Sequence, residues 1–523
     1  LVAAADRAAS WLSELGVQPG DVCAIVLPSD PLFFAVYMGV VFAGGLPSVL
    51  AYPNERLHPA KFQNGLRGMA AKSGLQWMVT DAALWERLAS LVADSPIRIG
   101  LVDPELFERG GSSVPIQLPQ VLPDQPCLLQ HSSGTTGLQK GVTLSHRAIL
   151  EHAIRYGRSI AVTASDGVAS WLPLYHDMGL IAAFHLPFLY GIPVVQLDPF
   201  EWVLRPAELL QAVAHERSTL CWLPNFAFNL LADRTRDRDI PPGACETLRL
   251  VVSCSEPIRA SSIRRLLTRL APYGLRSGAV SASFAMAETT FAVTQTRPGE
   301  AVTTEQVSRS GLAQGIARPP ADGEPVRECV SSGVPIDGCA VRITGPGSGV
   351  VPDGVVGAVE VTSVSLFEGY RNDPDRTGSA FRGAWFVTGD VGYLRDHELF
   401  VIGREKDLII VGGKNIYPED VEDALAKVEG VIPGRVVAFE MDDDALGTGR
   451  IAVVVETEEA GREARLGLRS RVVHVGAEFD LSISSVFIAP PRWLIKSSSG
   501  KLSRRENGAR AVEQLEDPIW TTT

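Results

Sequence analysis

A chain of 523 residues, 46% hydrophobic and 21% charged, is too long for one core and too apolar to be disordered; its length points to about three domains or subdomains. The net charge of −12 argues against a nucleic-acid partner, because the basic tail at Lys501, Arg504, Arg505 and Arg510 is too short to reverse it. Seven scattered cysteines with no C-x-x-C pair, and histidines that do not cluster, exclude a disulfide frame and a zinc site and fit a reducing, cytoplasmic setting.

Residues 1–15 carry apolar side chains at helical spacing and stop at Gly16, a residue suited to the left-handed turn that ends a helix. Residues 22–27 form a β-branched-rich strand. Residues 32–50 are apolar enough to cross a bilayer, yet Gly44, Gly45 and Pro47 divide them into a buried helix and a buried strand, with Ser29-Asp30 as the N-cap. No membrane span is expected. A helix from Pro59, a strand over 77–80 and a helix over 82–93 continue an alternation that implies right-handed βαβ units and a parallel sheet. The chain starts at Leu without a signal peptide, which reads as a segment cut from something longer, lacking an N-terminal strand.

The alternation resumes after residue 141 and runs to about 295. Residues 297–332, charged and broken by Pro and Gly, read either as a disordered connector or as an ordered surface insertion. Short strands with Gly/Pro turns over 341–361 and 394–402 predict a β-rich subdomain. Near 403–407 the character changes: a strand over 408–411, a Gly-Gly turn and a helix over 418–428 open a small α+β unit. The expected fold class is therefore α/β. A large N-terminal domain over 1–403 has parallel-rich sheets flanked by helices, plus the β-rich part; a small mobile α+β domain covers 404–523.

The densest chemical signal lies between the two runs of alternation. Ser132, Ser133, Thr135 and Thr136 supply hydroxyls, Gly134 and Gly137 free the backbone N–H groups, and Lys140 adds a positive charge, all directly after an apolar strand. Such a loop suits phosphate oxygens. It is not a Walker A loop, because Gln139 stands where that motif has Gly before Lys, and alone it would read as a surface turn. Neither G-x-G-x-x-G nor G-x-S-x-G is present, which sets aside dehydrogenase and hydrolase readings.

Five segments in order, SSGTTGLQKG (132–141), SFAMAE (283–288), WFVTGDVGYL (385–394), GREKDLIIVGGKNIYPEDVE (403–422) and SSSGKLSR (497–504), together resemble the adenylate-forming ligases: acyl-CoA synthetases, adenylation domains and luciferases. WLPLYHDMGLI (171–181), LPNFAFNLL (223–231), SCSEPIRASSIRRL (253–266) and the long connector after Glu288 are most similar to the fatty acyl-AMP ligase branch. The resemblance implies ATP-dependent activation of a fatty or related carboxylic acid, release of pyrophosphate and delivery of the acyl group to the phosphopantetheine arm of an acyl carrier protein. An insertion in that branch is thought to hinder the movement needed to use free coenzyme A.

By the same resemblance, Ser132, Ser133, Gly134, Thr135, Thr136, Gly137 and Lys140 would hold the β- and γ-phosphates of ATP. Glu288, with Thr136, would bind Mg²⁺, a hard cation that also takes phosphate oxygens. Ser255, Glu256, Pro257, Phe284, Ala285, Met286 and Ala287 would surround adenine. Asp390 would accept from the ribose hydroxyls, with Arg404 beside ribose and phosphate. Lys501 would cancel the repulsion between the incoming carboxylate and the α-phosphate. Lys406 matches the hinge between domains. His176 and Asp177, with Leu180, Ile181, Phe226 and Phe228, match the acyl pocket. His176 joins Lys501 and Glu288 as a candidate for catalysis, in a structural or gating capacity, because a carboxylate substrate needs no base.

Some positions depart from the usual pattern: Gln139 for proline, Phe284-Ala285 for Tyr-Gly, Ile495-Lys496 for Pro-Lys, and residues 47–54 as a whole. None removes a reactive group. Two rival readings are an acyl-CoA synthetase using free coenzyme A and a silent homologue that keeps only the fold.

Overall fold

A computed structural model describes residues 1–28, 30–51, 59–93, 95–104, 118–131, 140–411, 414–443, 448–478, 483–496 and 502–515. The helix Val2–Leu15 ends at Gly16 with φ 97°, a conformation that costs a residue with a Cβ. The apolar run of 32–50 splits into the helix Pro31–Phe42 and the strand Leu46–Val49. Asp30 caps that helix by accepting from the backbone N–H groups of Leu32 and Phe33; Ser29 lies outside the described residues. No helix among the described residues is long and apolar enough to cross a membrane.

Two sheets organise the large region. The first is parallel, in the order Leu46–Val49, Val22–Val26, Leu75–Thr80, Arg98–Leu101. The second has seven strands: Val280–Ala285, Leu250–Ser253, Leu220–Leu223, Val168–Ser170 and Val194–Gln196 run parallel, and Ala292–Gln295 and Val334–Pro335 close one edge antiparallel. The buried parallel strands read as continuous apolar runs, as they must when helices cover both faces. Leu128, Leu172, Trp202, Trp222 and Phe228 lie in their shared core.

The β-rich part is an antiparallel sheet in the order Cys339–Thr344, Gly357–Ser363, Trp385–Arg395, the last also pairing with Phe381–Arg382 and Glu398–Arg404. A three-stranded antiparallel sheet joins Pro126–His131 and Gly141–Ser145 to the distant pair Gly369–Tyr370. Within 297–332 the chain is ordered: Thr304–Ser308 and Val326–Val330 pair antiparallel about the short helix Arg309–Ala313. A separate apolar cluster, including Ile409, Val421, Leu425, Val453, Leu468 and Val486, marks a second core. It is built on the strands Val436–Asp443, Thr448–Glu456 and Ile483–Ala489 with the helices Pro418–Leu425 and Arg462–Glu478. The architecture is α/β, a large parallel-rich region with a β-rich part followed by a small α+β unit.

Candidate active site

Of the predicted phosphate loop, Ser132, Ser133, Gly134, Thr135, Thr136 and Gly137 lie outside the described residues, as does Lys501. Both stems of the loop are described. The strand Pro126–His131 leads in, and its last side chain is buried between two hydroxyls: His131 Nδ1 lies 2.9 Å from Ser48 Oγ and Nε2 lies 3.2 Å from Ser73 Oγ. Burial pushes the His131 ring down to about 4, so it sits neutral. Gln130 donates from Nε2 to the Tyr175 carbonyl (3.1 Å), joining this stem to the segment that carries His176.

Lys140 opens the outgoing stem. Its Nζ donates to the Tyr370 hydroxyl (3.2 Å) and lies 4.6 Å from the centre of that ring. The Tyr370 hydroxyl in turn donates to Glu288 Oε1 (2.8 Å). Desolvation lowers the Lys140 pKa, and the Glu288 charge opposes it; burial and the same charge raise the phenol of Tyr370. Loop lysine and candidate metal carboxylate therefore share one hydroxyl, although they lie far apart in the sequence.

Glu288 sits in the single helical turn Ala287–Thr289, at the end of the strand Val280–Ala285. Two residues on, Thr290 is fully buried at φ 70°, ψ −53°, a strained backbone for a β-branched residue, and donates to the Ser365 carbonyl. Ser255 is a second left-handed residue, at φ 68°. Ala285 is not among the residues with positive φ, so alanine in place of the usual glycine is accommodated without strain.

Asp390 and Arg404 face one another across neighbouring strands, and Arg404 donates from Nε to Asp390 Oδ1 (2.9 Å). The Asp390 charge raises the Arg404 pKa. Arg404 and Lys406 both lie within electrostatic reach of Lys140. Lys140, Arg404 and Lys406 are thus gathered near Glu288, with Asp390 paired to Arg404, a set of charges able to hold a polyphosphate with a cation.

The nucleobase and acyl candidates meet at Glu256 and Phe226. Ser255 Oγ lies 3.7 Å from Met178 Sδ, and Glu256 accepts from the Phe226 backbone N–H (3.0 Å). Pro257 follows in the same loop; Phe284 and Met286 are half-buried, and Ala287 is buried. Asp177 bonds to its neighbours: its Oδ1 accepts from the Met178 N–H (2.8 Å) at the start of a π-helix, Met178–His185, and lies 3.5 Å from His176 Nδ1. Gly179 makes this winding possible, since a Cβ there would meet the Pro173 carbonyl oxygen at 2.3 Å. Leu180, Ile181 and Phe228 are fully packed into the core, whereas Phe226 is 39% exposed. Of the acyl candidates, then, Phe226 is exposed, and His176 and Asp177 are half-buried.

Two groups of residues were not singled out by the sequence. Tyr370 is the first; the Gly-Tyr pair of GYRNDP carries no chemical signature of its own. The second is a junction between the 304–330 hairpin and the small unit. Arg327 bridges to Asp420 (3.2 Å), donates to the Ile402 carbonyl (2.9 Å) and lies 5.1 Å from the centre of the Tyr417 ring. Tyr417 is buried with Val307, Leu312, Cys329 and Phe400. Arg309 approaches Asp420 at 3.8 Å, and Arg259 pairs with Asp423.

No group of three or more His, Cys, Asp or Glu side chains fit to hold a metal occurs among the described residues. Mg²⁺ keeps waters and substrate phosphates and takes only one or two protein carboxylates; Glu288 has one oxygen on Tyr370 and a second to offer.

Residues 1–371 match the family model of AMP-binding enzymes. The chain is 31% identical to the long-chain-fatty-acid–AMP ligase FadD26 of Mycobacterium marinum, over 95% of this chain and 88% of that protein. It is 29% identical to the 4-hydroxyphenylalkanoate adenylyltransferase of Mycobacterium tuberculosis, over 93% and 81%. A structure from work on fatty acyl-adenylate ligases of E. coli and L. pneumophila superposes with a TM-score of 0.89 at 26% identity, covering 97% of this chain and 91% of that one. A fatty acyl-adenylate ligase of L. pneumophila in complex with acyl adenylate and pyrophosphate shares the fold, with a TM-score of 0.72 at 24% identity over 98% and 90%.

Proposed function

The chain belongs to the AMP-binding enzyme family, and from that premise we propose that it is a fatty acyl-AMP ligase. It activates a fatty or related carboxylic acid with ATP, releases pyrophosphate and passes the acyl group to the phosphopantetheine thiol of a carrier protein, in the cytoplasm. The observation that carries this reading is the meeting of Lys140, Glu288, Arg404 and Asp390 in one place from four separate stretches of chain. It is supported by the similarity to a long-chain-fatty-acid–AMP ligase over nearly the whole chain.

The chemistry demands such a meeting. An ionised carboxylate must attack the α-phosphorus in line, so one anion approaches another and the barrier is chiefly electrostatic and orientational. Ser132, Ser133, Gly134, Thr135, Thr136, Gly137 and Lys140 would cradle the β- and γ-phosphates, while Asp390 and Arg404 fix the ribose. Glu288 and Thr136 would hold Mg²⁺, which supplies charge neutralisation on the phosphate oxygens. Ser255, Glu256, Pro257, Phe284, Ala285, Met286 and Ala287 would border the adenine; Phe226, Leu180, Ile181, Phe228, His176 and Asp177 the acyl chain. Lys501 would reach the attacking carboxylate and the α-phosphate together.

Domain exchange about Lys406, with 404–523 as the moving unit, would then expose the adenylate to the carrier. The junction at Arg327, Tyr417 and Asp420 favours a carrier over free coenzyme A, because it ties the insertion to the part that must move. Lys501→Ala tests the assignment: acid-dependent pyrophosphate release should fall by at least ~100-fold, while transfer from a supplied acyl adenylate to a carrier continues. Unchanged pyrophosphate release in Lys501→Ala would instead support a silent homologue or a different site.

A further inference from the structure

Tyr370 occupies a place that calls for a group able both to accept and to donate. Ammonium groups only donate and carboxylates only accept, so a side chain set between Lys140 and Glu288 must accept from one and donate to the other. The Tyr370 hydroxyl does both, at 3.2 Å and 2.8 Å. Its ring also faces the ammonium at 4.6 Å, an attraction that does not depend on the hydroxyl.

The backbone holds this side chain from two sides. Gly369–Tyr370 pairs with the outgoing stem of the phosphate loop, Gly369 against Thr143 and Tyr370 against Val142. Flanking bonds from Glu368 N–H to the Thr143 carbonyl (2.8 Å) and from Arg371 N–H to the Gly141 carbonyl (2.7 Å) extend the ladder. Phe367 N–H bonds the Glu288 carbonyl (2.8 Å), so the same short segment is sewn to the loop on one side and to the carboxylate's own backbone on the other. Tyr370 is 5% exposed and stacks edge-on against Phe367 at 4.9 Å.

We propose that Tyr370 is a positioning residue for adenylation: its hydroxyl presents the Glu288 carboxylate to the nucleotide-bound cation, and its ring seats the Lys140 ammonium beside the phosphates. Without the hydroxyl, Glu288 loses the donor that orients it, while the ring still holds the lysine; with it, the carboxylate keeps its second oxygen aimed for ligand. The proposal rests on the Mg²⁺- and ATP-dependent reading above and adds a residue to it.

Calorimetric titration with ATP, in Mg²⁺ and separately in EDTA, separates the two duties. Tyr370→Phe keeps the ring and loses the hydroxyl. Its affinity for Mg²⁺·ATP should fall about tenfold, the scale of one lost hydrogen bond to a charged group, with less than about a twofold change for metal-free ATP. The Mg²⁺ concentration that half-saturates pyrophosphate exchange should rise by a similar factor. Tyr370→Leu, which removes the ring as well, should also weaken metal-free ATP. In a Glu288→Gln background, Tyr370→Phe should add little, as residues acting through one another do. A Tyr370→Phe protein that binds Mg²⁺·ATP as the parent does, or that weakens both forms equally, overturns the proposal while leaving an active parent enzyme intact. A parent protein without acid-dependent exchange overturns the adenylation reading itself.

Discussion

At the residue scale, the side chains that mattered fall into those with a chemical signature and those without one. Asp390 and Arg404 were named as candidates because Thr-Gly-Asp and Gly-Arg-Glu-Lys-Asp are distinctive runs; the structure adds that they are cross-strand partners. Tyr370 was not legible, because its importance comes from pairing across more than two hundred residues, which spacing cannot reveal. Buried histidines were equally silent. Burial pushes His131 to about 4, His152 to about 3 and His185 to about 4, while His152 accepts from the Ala292 N–H and His185 pairs with the Tyr37 hydroxyl. Their ordinary value lies near 6.5, so below that pH the unfolded chain binds protons that the folded chain refuses. Stability should therefore fall as pH drops from about 6.5 to about 4, each ring contributing up to ~1.4 kcal/mol per unit. Against its own desolvation, Asp166 is held down to about 2 by Arg249 and Thr219, so its loss comes lower. Scanning calorimetry across pH 7.5 to 4.5 checks this: a falling midpoint is expected, and a flat profile contradicts it.

At the element scale, periodicity identified helices and strands well where burial is one-sided or complete. The strand at Val22–Val26 and the helices Pro31–Phe42 and Pro59–Ser73 are where hydrophobic pattern, caps and proline place them. The segment 297–332 was ambiguous for a physical reason. Its hairpin is polar on one side and draws its order from tertiary partners: Val307, Leu312 and Cys329 pack against Tyr393, Phe400 and Tyr417, and Arg264 holds Glu328 at 2.6 Å. The π-helix after Asp177 was invisible for a related reason, since it depends on Gly179 meeting Pro173 in space. The junction at Arg327 yields a prediction at this scale. Removing one partner of a buried ion pair strands the other, so Arg327→Ala should loosen the contact with Asp420 and Tyr417 by about 3 kcal/mol. Protease cleavage near residues 404–408 should accelerate, and coenzyme A thioester formation should rise relative to carrier loading. Identical cleavage rates and an identical ratio would remove Arg327 from the control of acceptor choice.

At the scale of the whole molecule, the α/β architecture followed from alternation of strand and helix patterns, and the second core from the change of character after residue 403. Strand order did not follow: nothing local places Gly369–Tyr370 beside Gly141–Ser145, or puts the 304–330 hairpin against the small unit. Those long-range pairings assemble the candidate site, which is why its members were named from motifs while its geometry was not. The central claim is that this assembled charge arrangement joins a carboxylic acid to AMP. Labelled pyrophosphate exchange into ATP, run with and without a long-chain fatty acid and with and without Mg²⁺, tests it most directly. The account predicts exchange only when acid and Mg²⁺ are both present; absence of acid-dependent exchange across a panel of fatty and aryl-substituted acids would contradict it.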